Sequence, residues 1–168
     1  MKLSDGVEQA IHSVLMLHSL APDGALPAAA LAEYHGVSAS YLLKHLQALS
    51  GAGILLSIPG PAGGYRLARP AERISVLDIV LAVEGPQPAF RCAEIRQRGP
   101  NPLGPPSAPC EINAVMLRAE QAYRAELARV SVADLAADVD RHDQSGRVAA
   151  RRCAFLAQRE RRRVAAEL

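Results

Sequence analysis

Glu8 and His12 stand four residues apart near the start of the chain, and Cys92 and Cys110 flank a proline- and glycine-rich run in its second half. Positions i and i+4 of a helix share a face, so the carboxylate and the imidazole can point the same way. The run Gly99-Pro100-Asn101-Pro102-Leu103-Gly104-Pro105-Pro106 cannot continue a helix, and it lets the chain fold back over a bound ion. One carboxylate, one imidazole and two thiolates make four ligands, enough to close a site around iron or zinc.

The elements that must position these groups follow from periodicity. Residues 4–21 read as an amphipathic helix with Val7, Ala10, Ile11, Val14, Leu15 and Leu17 inward, Ser4 as N-cap, and Pro22-Asp23-Gly24 as its stop. A second helix is expected from Pro27 to His35, a turn at Gly36, and a third helix from Ala39 to Ser50, capped by Ser38, with Leu42, Leu46 and Leu49 inward. Ile54 to Ile58 and Tyr65 to Leu67 read as a hairpin around Pro59-Gly60-Pro61-Ala62-Gly63-Gly64. Helix, turn, helix and hairpin in this order make a winged helix. Ser75 caps a helix to about Val83. Glu111 to Val130 is the longest helical pattern, and its stripe of Ile112, Val115, Met116, Ala119, Ala122, Tyr123 and Leu127 calls for a second subunit. Ser131 starts a short helix to about Val139, and the Arg-rich tail is helical or disordered.

The expected fold class is mainly α with a small β-hairpin wing: a winged helix-turn-helix plus a long C-terminal dimerisation helix. The expected units are a winged helix-turn-helix domain over 1–84, a loop over 85–110 that carries the two cysteines, a dimerisation helix and short helix over 111–140, and the Arg-rich tail over 141–168.

Hydrophobic residues make up 49% of the 168, ample for a core, while 4% aromatic content and the absence of Trp mean it is built from Ala, Leu, Val and Ile. No stretch approaches the ~18 uncharged apolar residues that a membrane span needs. Asp5 and Glu8 interrupt any signal-peptide layout, so a cytoplasmic protein is expected, in which three cysteines point to metal or redox chemistry rather than disulfides. The net charge of +2 is uneven: residues 147–168 hold seven Arg against two Glu, a local +5, which leaves −3 on residues 1–146. Any attraction to phosphate must therefore come from local placement.

In a helix-turn-helix the N-terminal residues of the second helix face base edges in the major groove. Here these are Ser38, Ser40, Tyr41, Lys44 and His45, read as the polar face opposite Leu42 and Leu46. The wing offers Gly60, Gly63, Gly64 and Tyr65 with Arg66 and Arg69, and Lys2 adds a cation at the N-terminus. No nucleophile–base set is visible, and the Gly-rich wing opens into a strand rather than the helix that a cofactor loop requires, so an enzyme is not expected.

The chain resembles winged-helix bacterial regulators of the BadM and IscR type, many of which sense redox state or nitric oxide through an iron–sulfur cluster. The resemblance runs from Met1 to about Val130, on Met1-Lys2-Leu3-Ser4, Val37-Ser38-Ala39-Ser40-Tyr41-Leu42, Leu49-Ser50-Gly51-Ala52-Gly53-Ile54, the wing from Gly60 to Pro70, and Ile74 to Gly85. Members commonly cluster three cysteines in the loop after that last helix. This chain departs from that pattern with two, 18 positions apart, and Cys153 far away. It looks most like the RsrR-type branch around Glu8, His12 and the segment Phe90 to Pro100. That resemblance implies a [2Fe-2S] cluster held by Cys92 and Cys110 of one subunit and Glu8 and His12 of the other. It implies a redox-sensing repressor that binds a double-stranded DNA operator as a homodimer. A zinc-bound or thiol-based regulator without a cluster is the alternative, since zinc accepts the same four donors. Cys153 reads as non-ligating, and His18, His35 and His142 as ordinary helix or loop residues.

Overall fold

The computed structural model describes residues 3–61, 63–100, 102 and 110–162. In chain order the described elements are α1 (Asp5–His18), β1 (Gly24–Ala25), α2 (Ala28–His35), α3 (Ala39–Gly51), β2 (Leu55–Ile58), β3 (Gly64–Leu67), α4 (Val76–Glu84), α5 (Glu111–Arg129), α6 (Val132–His142), α7 (Arg147–Arg159) and β4 (Arg161–Arg162). Among the described residues no helix is long and apolar enough to cross a membrane.

The expected inward stripe of α1 is buried or half-buried, and Ser13 and Met16 join it, so this helix runs through the middle of the domain against α3, α4 and α6. It stops at His18, three residues short of the expected end. The cap itself differs as well: Ser4 makes no cap bond through its side chain, and its Oγ and N–H donate to the Glu84 carboxylate (2.5 and 2.9 Å), tying the start of α1 to the end of α4.

Between α2 and α3 the turn rests on Gly36, whose left-handed φ of 67° costs a residue without Cβ little. The Ser38 hydroxyl accepts from the Tyr41 N–H and opens α3. Leu42, Leu46 and Leu49 are fully buried against Leu17, Leu31 and Ile54 in one apolar cluster. Each such side chain removes roughly 1.5–3 kcal/mol of apolar surface from water.

In the wing, β2 and β3 pair antiparallel in the register Leu55↔Leu67 to Ile58↔Gly64. Leu26, next after β1, exchanges two backbone hydrogen bonds with Tyr65 of β3 (3.0 and 2.9 Å), so β1 lies on the other edge of β3. β1 in turn pairs with β4, an element the sequence reading did not contain. The strands thus form two two-stranded sheets, β2–β3 and β1–β4, joined by the Leu26–Tyr65 bridge.

Two capping boxes anchor the C-terminal half: Ser75 with Asp78 opens α4, and Ser131 with Asp134 opens α6. The backbones at their starts are cross-bonded, Val76 N–H to Val130 O at 2.9 Å and Val132 N–H to Ile74 O at 2.8 Å, so α6 returns to the winged domain with Val132 buried. α5 contributes no buried residue at all; Ile112, Val115 and Met116 are 65, 52 and 41% exposed.

Candidate metal centre and nucleic-acid interface

Cys110 occupies the N-cap position of α5. Its side chain closes no cap hydrogen bond, but the backbone N–H groups of Asn113 and Ile112, the Cys92 thiol and the Arg96 guanidinium all lie near its sulfur. These donors hold the Cys110 thiol below its ordinary range, the Asn113 N–H contributing most. The two cysteines, 18 positions apart in sequence, thus meet at one helix N-terminus, where anionic sulfur is favoured.

The connecting loop is shaped at Glu94, the one described non-glycine residue with positive φ (46°). Beside this turn the Arg96 guanidinium grips the Glu94 carboxylate through Nε and Nη2 and holds it below the usual carboxylate range. Arg96 also stands 3.9 Å from Glu111, so one guanidinium joins the segments that carry Cys92 and Cys110. The sequence reading assigned Arg96 no role; it falls between the cysteines as one of several arginines, and only the fold singles it out.

Glu8 and His12 share the exposed face of α1 and border a shallow hollow with Leu3, Asp5, Val7 and Ile11. Among the described residues Glu8 has no hydrogen-bond or ion-pair partner. The His12 ring packs against the His35 ring at 5.7 Å between centroids. Burial, then His12 and Arg151, lower the His35 pKa to about 4, which keeps this neighbour neutral, and its Nε2 is buried without a partner. His35 is therefore a helix residue, as expected, that packs against the candidate ligand His12.

Within the described residues of one chain, no group of three or more His, Cys, Asp or Glu side chains is gathered where it could hold a metal ion. The thiols form one half-site and the Glu8–His12 pair another. As a donor set the two halves fit a two-iron centre, with anionic sulfur on one side and an unpaired carboxylate beside an imidazole on the other. Cys153 lies exposed on α7, beside His18 and Asp140 in a different hollow.

On α3, Ser38, Ser40, Tyr41 and Lys44 are exposed, and the two serine hydroxyls are 3.0 Å apart. His45 is not on that face. It is 6% exposed, tucked against Gly6 of α1, where any Cβ would collide with the imidazole, and the Tyr41 ring covers it edge-on at 4.7 Å. Burial, then Lys44, lower its pKa, so it is a neutral packing residue and not a reader of base edges. Tyr65 likewise belongs to the core, at 9% exposure. Gly63 and Gly64 are small for an internal reason: a side chain would strike the backbone of Ile58 at one and of Leu26 at the other. Arg66 is half-exposed beside Ser57 and Pro59, while Arg69 turns inward to Asp78 at 3.1 Å. Lys2 lies outside the described residues.

A family model described as Rrf2, iron-dependent transcriptional regulator, matches residues 3–138. The putative HTH-type transcriptional regulator YffB of Lactococcus lactis is 33% identical over 136 residues, 81% of this chain and 87% of that protein. Other curated relatives align over less of themselves; the chain spans about half the length of several of them. Among solved structures, IscR of T. potens superposes with a TM-score of 0.66 at 22% identity, covering 86% of this chain and 92% of that one. CymR of Staphylococcus aureus in its oxidized form does so at 0.62 and 27%, covering 81 and 96%.

Proposed function

The chain belongs to the Rrf2 family of transcriptional regulators, and on that premise we propose that it is a cytoplasmic homodimeric repressor whose hold on a palindromic operator follows the redox state of a [2Fe-2S] cluster shared between its subunits. One observation carries the reading: the thiols of Cys92 and Cys110 meet at one place, while Glu8 and His12 wait unjoined on an exposed face elsewhere. Two half-sites of complementary donors in each chain are what a pair of sites between two copies requires.

Cys92 and Cys110 supply the thiolates of one subunit, and Glu8 and His12 complete the set from the other. When bound, the cluster supplies a one-electron redox change that sets the net charge held between the subunits. The N-terminus of α5 and Arg96 stabilise anionic sulfur, and neutral His35 holds the His12 ring without competing for protons. The second subunit docks on the apolar stripe of α5, with Ile112, Val115 and Met116 covered. Lys44, Ser38, Ser40 and Tyr41 meet the major groove, and Arg66 meets phosphate beside the wing. Occupying the operator blocks the polymerase.

A second reading has its own support. Cys92 lies beside a Cys110 thiol held below its ordinary range, which also suits a regulator that senses through thiols alone or through zinc, and one structural relative is CymR of Staphylococcus aureus in its oxidized form. Anaerobic purification separates the two. Visible absorption with equal iron and sulfide, lost in Cys92→Ala and in Cys110→Ala but kept in Cys153→Ala, supports the cluster; colourless protein with bound zinc, or with neither metal, overturns it.

A further inference from the structure

The family match ends at residue 138, yet the chain beyond it folds back onto the DNA-binding domain. Leu156 of α7 is buried, and Phe155 packs on the Tyr34 ring of α2 at 5.0 Å. Arg151 lies 4.4 Å over the same ring and donates to the Tyr34 carbonyl at 2.7 Å. Arg159 pairs with Glu33 at 2.7 Å, and Arg152 with Asp140 at 2.9 Å. Next, the Glu160 carboxylate accepts from the Ala21 N–H at 2.7 Å, in a space that a side chain on Gly24 would fill. β4 then pairs with β1, Arg161 opposite Ala25 and Arg162 opposite Gly24, in a two-stranded sheet that the Leu26–Tyr65 bridge joins to the wing.

This docking divides the arginines of the tail. Arg151, Arg152 and Arg159 are occupied by partners within the protein, while the Arg161 guanidinium donates to the neutral carbonyl of Pro61 at the wing tip. Among the described residues no carboxylate neutralises Arg161. Residues 1–146 carry a net −3, so the positive charge a DNA-binding surface needs is scarce in the winged domain and concentrated in this tail.

We infer that β4 is a second phosphate-binding element, which holds Arg161 at the wing tip and extends the contact of the wing with the DNA backbone. The inference rests on the DNA-binding role of α3 and the wing. It adds affinity without sequence preference, because phosphates are the same at every site.

The test is salt-titrated anisotropy with two labelled duplexes, one from the region upstream of the protein's own coding sequence and one scrambled. The double variant Arg161→Gln, Arg162→Gln is compared with the full-length parent. It is expected to bind both duplexes more weakly by the same factor, and the slope of log K against log salt should fall by about two to four units for a dimer. Gly24→Ala, which displaces Glu160 and leaves every charge in place, should weaken binding in the same sense. Parent-like slopes in the double variant, tighter binding in it, or Gly24→Ala with parent affinity would each overturn the inference. A parent that binds neither duplex at any salt would instead remove the DNA-binding role on which it rests.

Discussion

Replacing Ile112 and Met116 by Glu should turn the proposed dimer into monomers without harming the fold of either chain. The two side chains sit at i and i+4 on one face of α5, 65 and 41% exposed, while the packing of α5 within the chain runs through other residues such as Leu127. Their exposed fractions together amount to about one whole apolar side chain per subunit, hence two per dimer. At about 1.5–3 kcal/mol for each fully covered aliphatic side chain, the interface loses about 3–6 kcal/mol. Each 1.4 kcal/mol is tenfold, so the dissociation constant of the dimer should rise by about two to four powers of ten. Sedimentation velocity over a dilution series reads this directly, and circular dichroism checks that helix content is kept. If the ligands come from both chains, iron should leave with the partner. A variant that stays dimeric at submicromolar concentration would show that α5 is not the interface, and monomers that keep full iron would show that each site lies within one chain.

Lys44→Ala should cost about 1–3 kcal/mol on the operator and relax preference at one position, if this exposed lysine of α3 meets a base edge; selection from a randomised duplex pool reads both. Arg66→Ala should weaken binding to all sequences and lower the salt slope by about one unit per bound subunit; unchanged binding in both variants would refute the helix-and-wing arrangement. His45→Ala, in contrast, should lower thermal stability without altering base preference, because the ring fills space against Gly6. His35 binds protons more weakly folded (pKa about 4) than unfolded (6.5). The metal-free protein should therefore hold this contribution above pH 6.5 and lose it as pH falls toward 4, by an amount that solvent screening of this half-buried ring reduces. Urea titrations of the parent and of His35→Phe check the sign: a variant with an equally steep loss would refute it.

The helix-turn-helix was legible because its signals are local: Gly36 for the turn, Ser38 for the cap, leucines at helical spacing for the buried face. His45 was misplaced although the same spacing points inward, three residues after Leu42 and four before Leu49. What the sequence did not reveal was its counterpart, since Gly6 leaves the hole that accepts the ring and lies 39 positions away. In β3, alternation alone separates buried Tyr65 from accessible Arg66. The docking of α7 and β4 had no sequence signature, because it runs mainly on ring stacking, ion pairs and backbone pairing that only the fold assembles. The candidate ligands were legible as residue types. Their division into a thiol half and a Glu–His half was implied by family resemblance.

Sharing of the centre between subunits is tested most directly by complementation within one dimer. A chain carrying Cys92→Ala and Cys110→Ala is co-expressed with a differently tagged chain carrying Glu8→Ala and His12→Ala, and the mixed dimer is isolated anaerobically by both tags. If each centre takes its thiolates from one chain and Glu8 with His12 from the other, the mixed dimer keeps one complete site and should hold half the iron and sulfide of the parent, with the parent's absorption spectrum. If all four ligands belong to one chain, both sites are broken, and a mixed dimer without iron would contradict the shared cluster.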